Sequence, residues 1–121
     1  MCSSDRAAPQ HKVVSLNGDG AAMYTIQALW TMAREGLNVT SVVFANHSYA
    51  ILNIEMARTG AGRAGPSASK LLQLDGPNID FVAIAQGLGI PSVRCATAEA
   101  FDEAFASAMA GQGPAFIEAV I

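Results

Sequence analysis

The most constraining feature of this chain lies between Lys12 and Ala45, where the hydrophobic period changes twice. Lys12-Val13-Val14-Ser15-Leu16-Asn17 reads as a buried strand that stops at Gly18-Asp19-Gly20. From Ala22 the spacing becomes helical: Ala22, Met23, Ile26, Leu29, Trp30 and Ala33 fall on one face, with Gln27, Thr31 and Arg34 opposite, and Gly36 is a natural stop. Val39-Thr40-Ser41-Val42-Val43-Phe44-Ala45 is then a β-branched run ending at Asn46. Strand, glycine turn, helix and strand in about 30 residues make a βαβ unit with parallel strands.

The alternation continues to the end of the chain. Ala50–Arg58 reads as a short helix, and residues 59–69 as a flexible loop of small residues. Asp80–Gly87 reads as a helix capped by Asp80 or Asn78, and Ile90–Cys95 as a short strand. Thr97 starts a helix to Ala110 with an apolar stripe through Phe101, Phe105 and Met109, and Pro114–Ile121 closes as a buried strand. The expected architecture is α/β: a doubly wound, mainly parallel sheet with helices on both faces. Residues 1–11 are expected to be an irregular leading segment and 12–121 the domain.

Composition narrows the function classes. The 121 residues are 51% hydrophobic and only 14% charged, with 7 Lys+Arg against 10 Asp+Glu, so a nucleic-acid surface is excluded as an expectation. No apolar run approaches the roughly 20 residues of a membrane span, and the amino end lacks the apolar stretch of a secretory signal. A cytoplasmic location is expected. Cys2 and Cys95 fit neither a zinc site nor a disulfide framework. An apolar, charge-poor, short chain also suggests a surface that a partner covers.

In such a sheet ligands bind at the carboxyl ends of the strands. Two of these ends carry chemistry: Gly18-Asp19-Gly20, and Asn46-His47-Ser48-Tyr49. Glycines allow close approach of the backbone, and the amides opening the following helix suit a phosphate. Asp19 and Asn46 offer hard oxygen ligands of the kind magnesium takes together with phosphate oxygens and water. A diphosphate held through Mg²⁺ between the two ends is the physical reading. The plainer alternative makes Asp19 a helix cap and Asn46 a loop residue. A nicotinamide site fits poorly, because Met23 stands at the third glycine position and Asn46 replaces the ribose-binding acid. The literal GxGxxG at Gly60–Gly65 lacks a preceding strand.

Gly18-Asp19-Gly20 followed by Asn46, with Asp19 and Asn46 27 positions apart, resembles the thiamine-diphosphate motif. That motif marks the C-terminal, pyrophosphate-binding domain of enzymes such as acetolactate synthase and benzoylformate decarboxylase. The helix from Met23 to Glu35 and the segment Tyr49-Ala50-Ile51-Leu52 are similar to theirs, and the likeness runs from about Lys12 to Ile121. The resemblance implies thiamine diphosphate and Mg²⁺ as cofactors. It places Asp19 and Asn46 on the cation through their side chains and Ser48 through its backbone carbonyl. Gly18, Gly20, Ala21, Ala22 and Tyr49 would surround the diphosphate, with Tyr24 lining the cleft. Two departures are Ala21, where many members have a serine, and Ala50, where a glycine is common.

The resemblance also implies a partner. In the family the cofactor lies between this domain and a pyrimidine-binding domain whose glutamate activates it, and no segment of this chain matches that half. The expected function is C–C bond cleavage or formation on a small 2-oxo acid, in a homo- or hetero-oligomer that supplies the second domain. The chain reads as a truncated product or one subunit of a split enzyme, inactive alone. A non-catalytic assembly module is the alternative. No catalytic residue is assigned: His47 is expected to contribute backbone only, Trp30 to lie in the core, and Cys95 to be a buried small hydrophobe. Glu35, Glu55, Glu99, Glu103 and Glu118 read as solvated charges.

Overall fold

The computed structural model describes residues 7–60, 62 and 64–121. Expectations for residues 1–6, and for Ala61 and Arg63 within the glycine-rich loop, lie outside the described residues. Four strands, β1 (Val13–Gly18), β2 (Val39–Ala45), β3 (Ser92–Cys95) and β4 (Ala115–Val120), form one sheet in the order β1-β2-β4-β3, and every pairing is parallel. Among the described residues six helices connect them: α1 (Asp19–Ala22), α2 (Ala28–Glu35), α3 (Ala50–Arg58), α4 (Pro66–Leu71), α5 (Phe81–Gly87) and α6 (Ala98–Ala110). The doubly wound α/β architecture expected from the sequence is present.

Register decides which side chains meet. Val13, Val39, Val43 and Phe116 share one sheet face, where they join Ala22 of α1, Leu29 and Met32 of α2, and Phe81 and Ala85 of α5. Val42, Cys95 and Ile117 take the other face and pack under Phe101, Ala104, Phe105 and Ala108 of α6. Helices therefore cover both faces, as parallel strands require. Cys95 is buried, donates weakly to the Ala100 carbonyl at 3.5 Å, and burial pushes its thiol pKa up.

The helix expected from Ala22 to Ala33 differs from what forms. It begins earlier, at Asp19 directly after β1, and is broken between Met23 and Gln27. There the amides of Tyr24, Thr25, Ala28, Leu29 and Trp30 bond three residues back, in tight turns rather than an α-helix. The tighter winding there rotates the stripe. Leu29 and Met32 turn inward, while Trp30 is 51% exposed with Arg34 lying 4.8 Å over its ring, so Trp30 is a surface residue and not core. Met109 is likewise exposed, and the stripe that α6 packs on the sheet runs through Phe101, Ala104, Phe105 and Ala108. Part of the expected loop 59–69 is helical: Pro66 sits in the first turn of α4, where its missing N–H costs nothing. Elsewhere the capping residues act as the sequence suggests, Asp80 accepting from the Ala83 amide and Thr97 from the Ala100 amide.

Glu118 overturns the expectation of a solvated charge. It lies on β4, with a strand on either side, and its side chain is fully buried. Arg94, its register partner on β3, donates from Nε to Glu118 Oε2 at 2.7 Å and from Nη2 to Asp80 Oδ1 at 2.8 Å. The bond to Glu118 leads the forces that raise the Arg94 pKa. The Ala83 amide, and after it Arg94, hold the Asp80 carboxyl below its usual range. Asp80's contribution is therefore complete above the ordinary carboxylate pKa and fades as pH falls through its lowered native value. Removing the guanidinium leaves a buried, uncompensated carboxylate. Arg94→Met is expected to cost about 3 kcal/mol, the low end of the range for breaking such a pair because Arg94 is half exposed, measured as a shift of the urea midpoint.

Candidate functional site

The ends of β1 and β2 are neighbours, with Gly18 in register with Phe44. Asp19 opens α1 immediately after Gly18 and is buried at 3% exposure. Its carboxylate accepts from the Gly20 amide at 2.8 Å through Oδ1 and from the His47 amide at 2.6 Å through Oδ2. One side chain thus ties the turn after β1 to the loop after β2. The loop is shaped for this. Asn46 Oδ1 accepts from the Ser48 amide at 3.0 Å, closing a turn between residue and side chain, and His47 takes φ +54°. That left-handed conformation, uncommon outside glycine, turns the His47 amide back to Asp19.

The outer side of the loop is fixed by a short antiparallel bridge between Ser48 and Gln73. The Tyr49 amide donates to the Leu72 carbonyl and the Leu74 amide to the His47 carbonyl, each at 2.8 Å. This geometry leaves Ser48's own carbonyl outside the pairing. Tyr49 lies against Gly20: a Cβ at Gly20 would stand 2.6 Å from Tyr49 Cε1. The glycine is required because the tyrosine ring occupies the space any side chain would need.

The sequence-chosen residues therefore gather in one place, with two qualifications. Gly18, Asp19, Gly20, Ala21 and Ala22 form the turn and first helical residues, and Asn46, Ser48 and Tyr49 the facing loop. Tyr24 lies beyond α1 and is 80% exposed. The Gly20 amide is already engaged by Asp19, which leaves that of Ala21 as the next amide of the first turn without an intrahelical acceptor. The His47 ring was not selected, and its Nδ1 is buried without a partner among the described residues. Among those residues no cluster of three or more His, Cys, Asp or Glu could hold a metal. The oxygen donors are one carboxylate, one amide and one carbonyl, a set suited to a hard cation that keeps water and phosphate ligands.

The sequence profile described as "Thiamine pyrophosphate enzyme, C-terminal TPP binding domain" matches residues 2–119. This chain belongs to the thiamine pyrophosphate enzyme family. As a TPP-binding domain it is 48% identical over 116 residues to a Mycobacterium tuberculosis protein provisionally named acetolactate synthase large subunit, covering 95% of this chain and 22% of that protein. It is 35% identical over 113 residues to benzoylformate decarboxylase of Pseudomonas aeruginosa, covering 93% of this chain and 20% of the enzyme. The fold superposes on the thiamine diphosphate-dependent 4-hydroxybenzoylformate decarboxylase of Rhodococcus jostii with a TM-score of 0.83 and 36% identity, over 95% of this chain and 20% of that one. The TPP-binding domain thus spans about a fifth of the length of these relatives. Thiamine diphosphate is the cofactor of the family.

A clash at Gly20 provides the sharpest test of the site geometry. Gly20→Ala is expected to destabilise the domain by about 1–3 kcal/mol by driving the new methyl into the Tyr49 ring. Tyr49→Ala in the same chain should recover most of that loss, and a double-mutant cycle in urea measures the coupling.

Proposed function

We infer that the domain binds thiamine diphosphate through a magnesium ion at the joined ends of β1 and β2. The observation that carries this reading is the Asp19 carboxylate, buried and bonded to both the Gly20 and His47 amides. Each carboxylate oxygen has lone pairs beyond the one its amide uses, so the group can bridge to a cation without releasing the loop. Asn46 Oδ1 and the Ser48 carbonyl complete the protein's donors, and Ala21, through its amide, and Ala22 face the diphosphate. Gly18 and Gly20 let the backbone approach, Tyr49 walls the site beside Gly20, and Tyr24 lines the outer cleft. The bound cofactor supplies the carbanion-stabilising chemistry, while the chain supplies binding, orientation and charge.

The natural reaction on this reading is cleavage or formation of a C–C bond in a small 2-oxo acid, in the cytoplasm. It requires a pyrimidine-binding domain from elsewhere in a longer chain or from another subunit. Exposed apolar side chains at the carboxyl end of the sheet support such a partner: Tyr24 after β1, Ile51, Leu52 and Ile54 on α3, Leu71 before the bridge, and Ile121 after β4. Among the described residues, no helix is long and apolar enough to cross a membrane.

Isothermal titration of thiamine diphosphate, with Mg²⁺ and with chelator, tests the binding. Binding is expected to require the metal, and Asp19→Asn is expected to weaken it by a factor on the order of 10–100. Heat that ignores both the metal and the substitution would leave an assembly role as the better description. The chain alone is expected to release no CO₂ from 2-oxo acids until a pyrimidine domain is added, and turnover without one would refute that dependence.

A further inference from the structure

The segment from Leu72 to Asp80 links the cofactor loop to a buried charge on β4, on the sheet face that α2 and α5 cover. Its near end is the bridge that fixes His47 and Tyr49 through the Leu74 amide and the Leu72 carbonyl. Ile79 packs into the core beside its far end. That far end is Asp80, which caps α5 through the Ala83 amide and accepts from Arg94 Nη2. Arg94 is itself held by Glu118, whose Oε1 is buried without a partner among the described residues. The buried carboxylate therefore depends on the guanidinium, and the guanidinium cannot leave it cheaply. Arg94 is the fixed point, and Asp80 is drawn to it. The Ser92 hydroxyl, donating to the Val82 carbonyl, adds a second tie between β3 and α5.

We propose that Arg94 and Glu118, acting through Asp80, are positioning residues for the cofactor site: a strut that anchors the 72–80 strap and thereby sets the His47–Tyr49 backbone. What the loop binds rests on the diphosphate reading; how the loop is held does not. Arg94 uses two different nitrogens toward two carboxylates, a fork that an ammonium group cannot reproduce at both.

The test uses the whole chain, as wild type, Asp80→Asn and Arg94→Lys. Asp80→Asn keeps an oxygen to cap α5 but removes the anion, and Arg94→Lys keeps a cation beside Glu118, so neither strands a buried charge. Amide hydrogen exchange is read at Tyr49 and Leu74 and, as an internal control, at Val42 and Val43. Thiamine diphosphate affinity is read with Mg²⁺ at a temperature where circular dichroism shows full folding. Exchange at Tyr49 and Leu74 is expected to accelerate by at least about fivefold while the β2 controls hold. Affinity is expected to fall by roughly three- to tenfold, short of the loss from removing a metal ligand. Unchanged exchange at Tyr49 and Leu74, or acceleration of all four amides together, would overturn the strut. Local acceleration with unchanged affinity would overturn its role in binding. Local acceleration in a chain whose wild type does not bind thiamine diphosphate would support the strut and overturn the diphosphate reading instead.

Discussion

A carboxylate buried between two amides from different loops is the constraint on which the rest of the site depends. Asp19 is the first residue after β1, and it accepts from its neighbour Gly20 and from His47, which follows β2. A parallel pair fixes the strands side by side but says nothing about how the loops leaving their ends approach one another. The carboxylate settles that, and only because the loop after β2 bends left-handed at His47. Burial strengthens both hydrogen bonds and makes either one costly to lose. The geometry of Asn46, Ser48 and Tyr49 then follows from the same turn and from the bridge to Gln73.

Sheet order sets which strands of this molecule are closed and which keep an open edge. With β4 inserted between β2 and β3, the last strand lies inside the sheet and is closed on both sides, whereas β1 has one open edge among the described residues. Leu16 on β1 is 64% exposed although its register partner Val42 is buried. On the face that Leu16 shares with Val42, α6 packs against β3 and β4. Exposed apolar side chains therefore occur both along the β1 edge and at the carboxyl ends of the strands. A domain of this size normally hides such surface from water, and larger exposed patches mark places where another surface docks. The charge-poor composition has a physical counterpart in these residues.

Much of this was legible in the residues themselves. The β-branched run Val39–Ala45 formed a strand with the expected bounds, and the glycines, Asp19 and Asn46 came together as the strand ends required. Boundaries were less legible where two local preferences compete. Ala22 to Ala33 carries a helical stripe, but an α-helix starting at Asp19 is interrupted by tight turns, which displaces Trp30 to the surface. The helix at Pro66 was hidden in a stretch rich in glycine and serine, whose composition favours loops; only the proline, acceptable in a first turn, marked it. Tight packing of Tyr49 on Gly20 joins residues far apart in the chain, so no local pattern could report it.

Glu118 is the most instructive case, because the signal was present and had a physical meaning. It interrupts the apolar run Phe116-Ile117-Glu118-Ala119-Val120. In a strand with one wet face, a charge at alternate positions is unremarked, since that face reaches water. In a central parallel strand both faces are covered, so a carboxylate there must find a cation or neutralise. Arg94, the one basic residue in the short strand Ile90–Cys95, supplies it in register. A lone acid within an apolar run and a lone base within a neighbouring short strand therefore form a joint prediction: if both strands are parallel and one is central, the two charges must meet. Here they do, and the same guanidinium also reaches Asp80, the residue that caps α5.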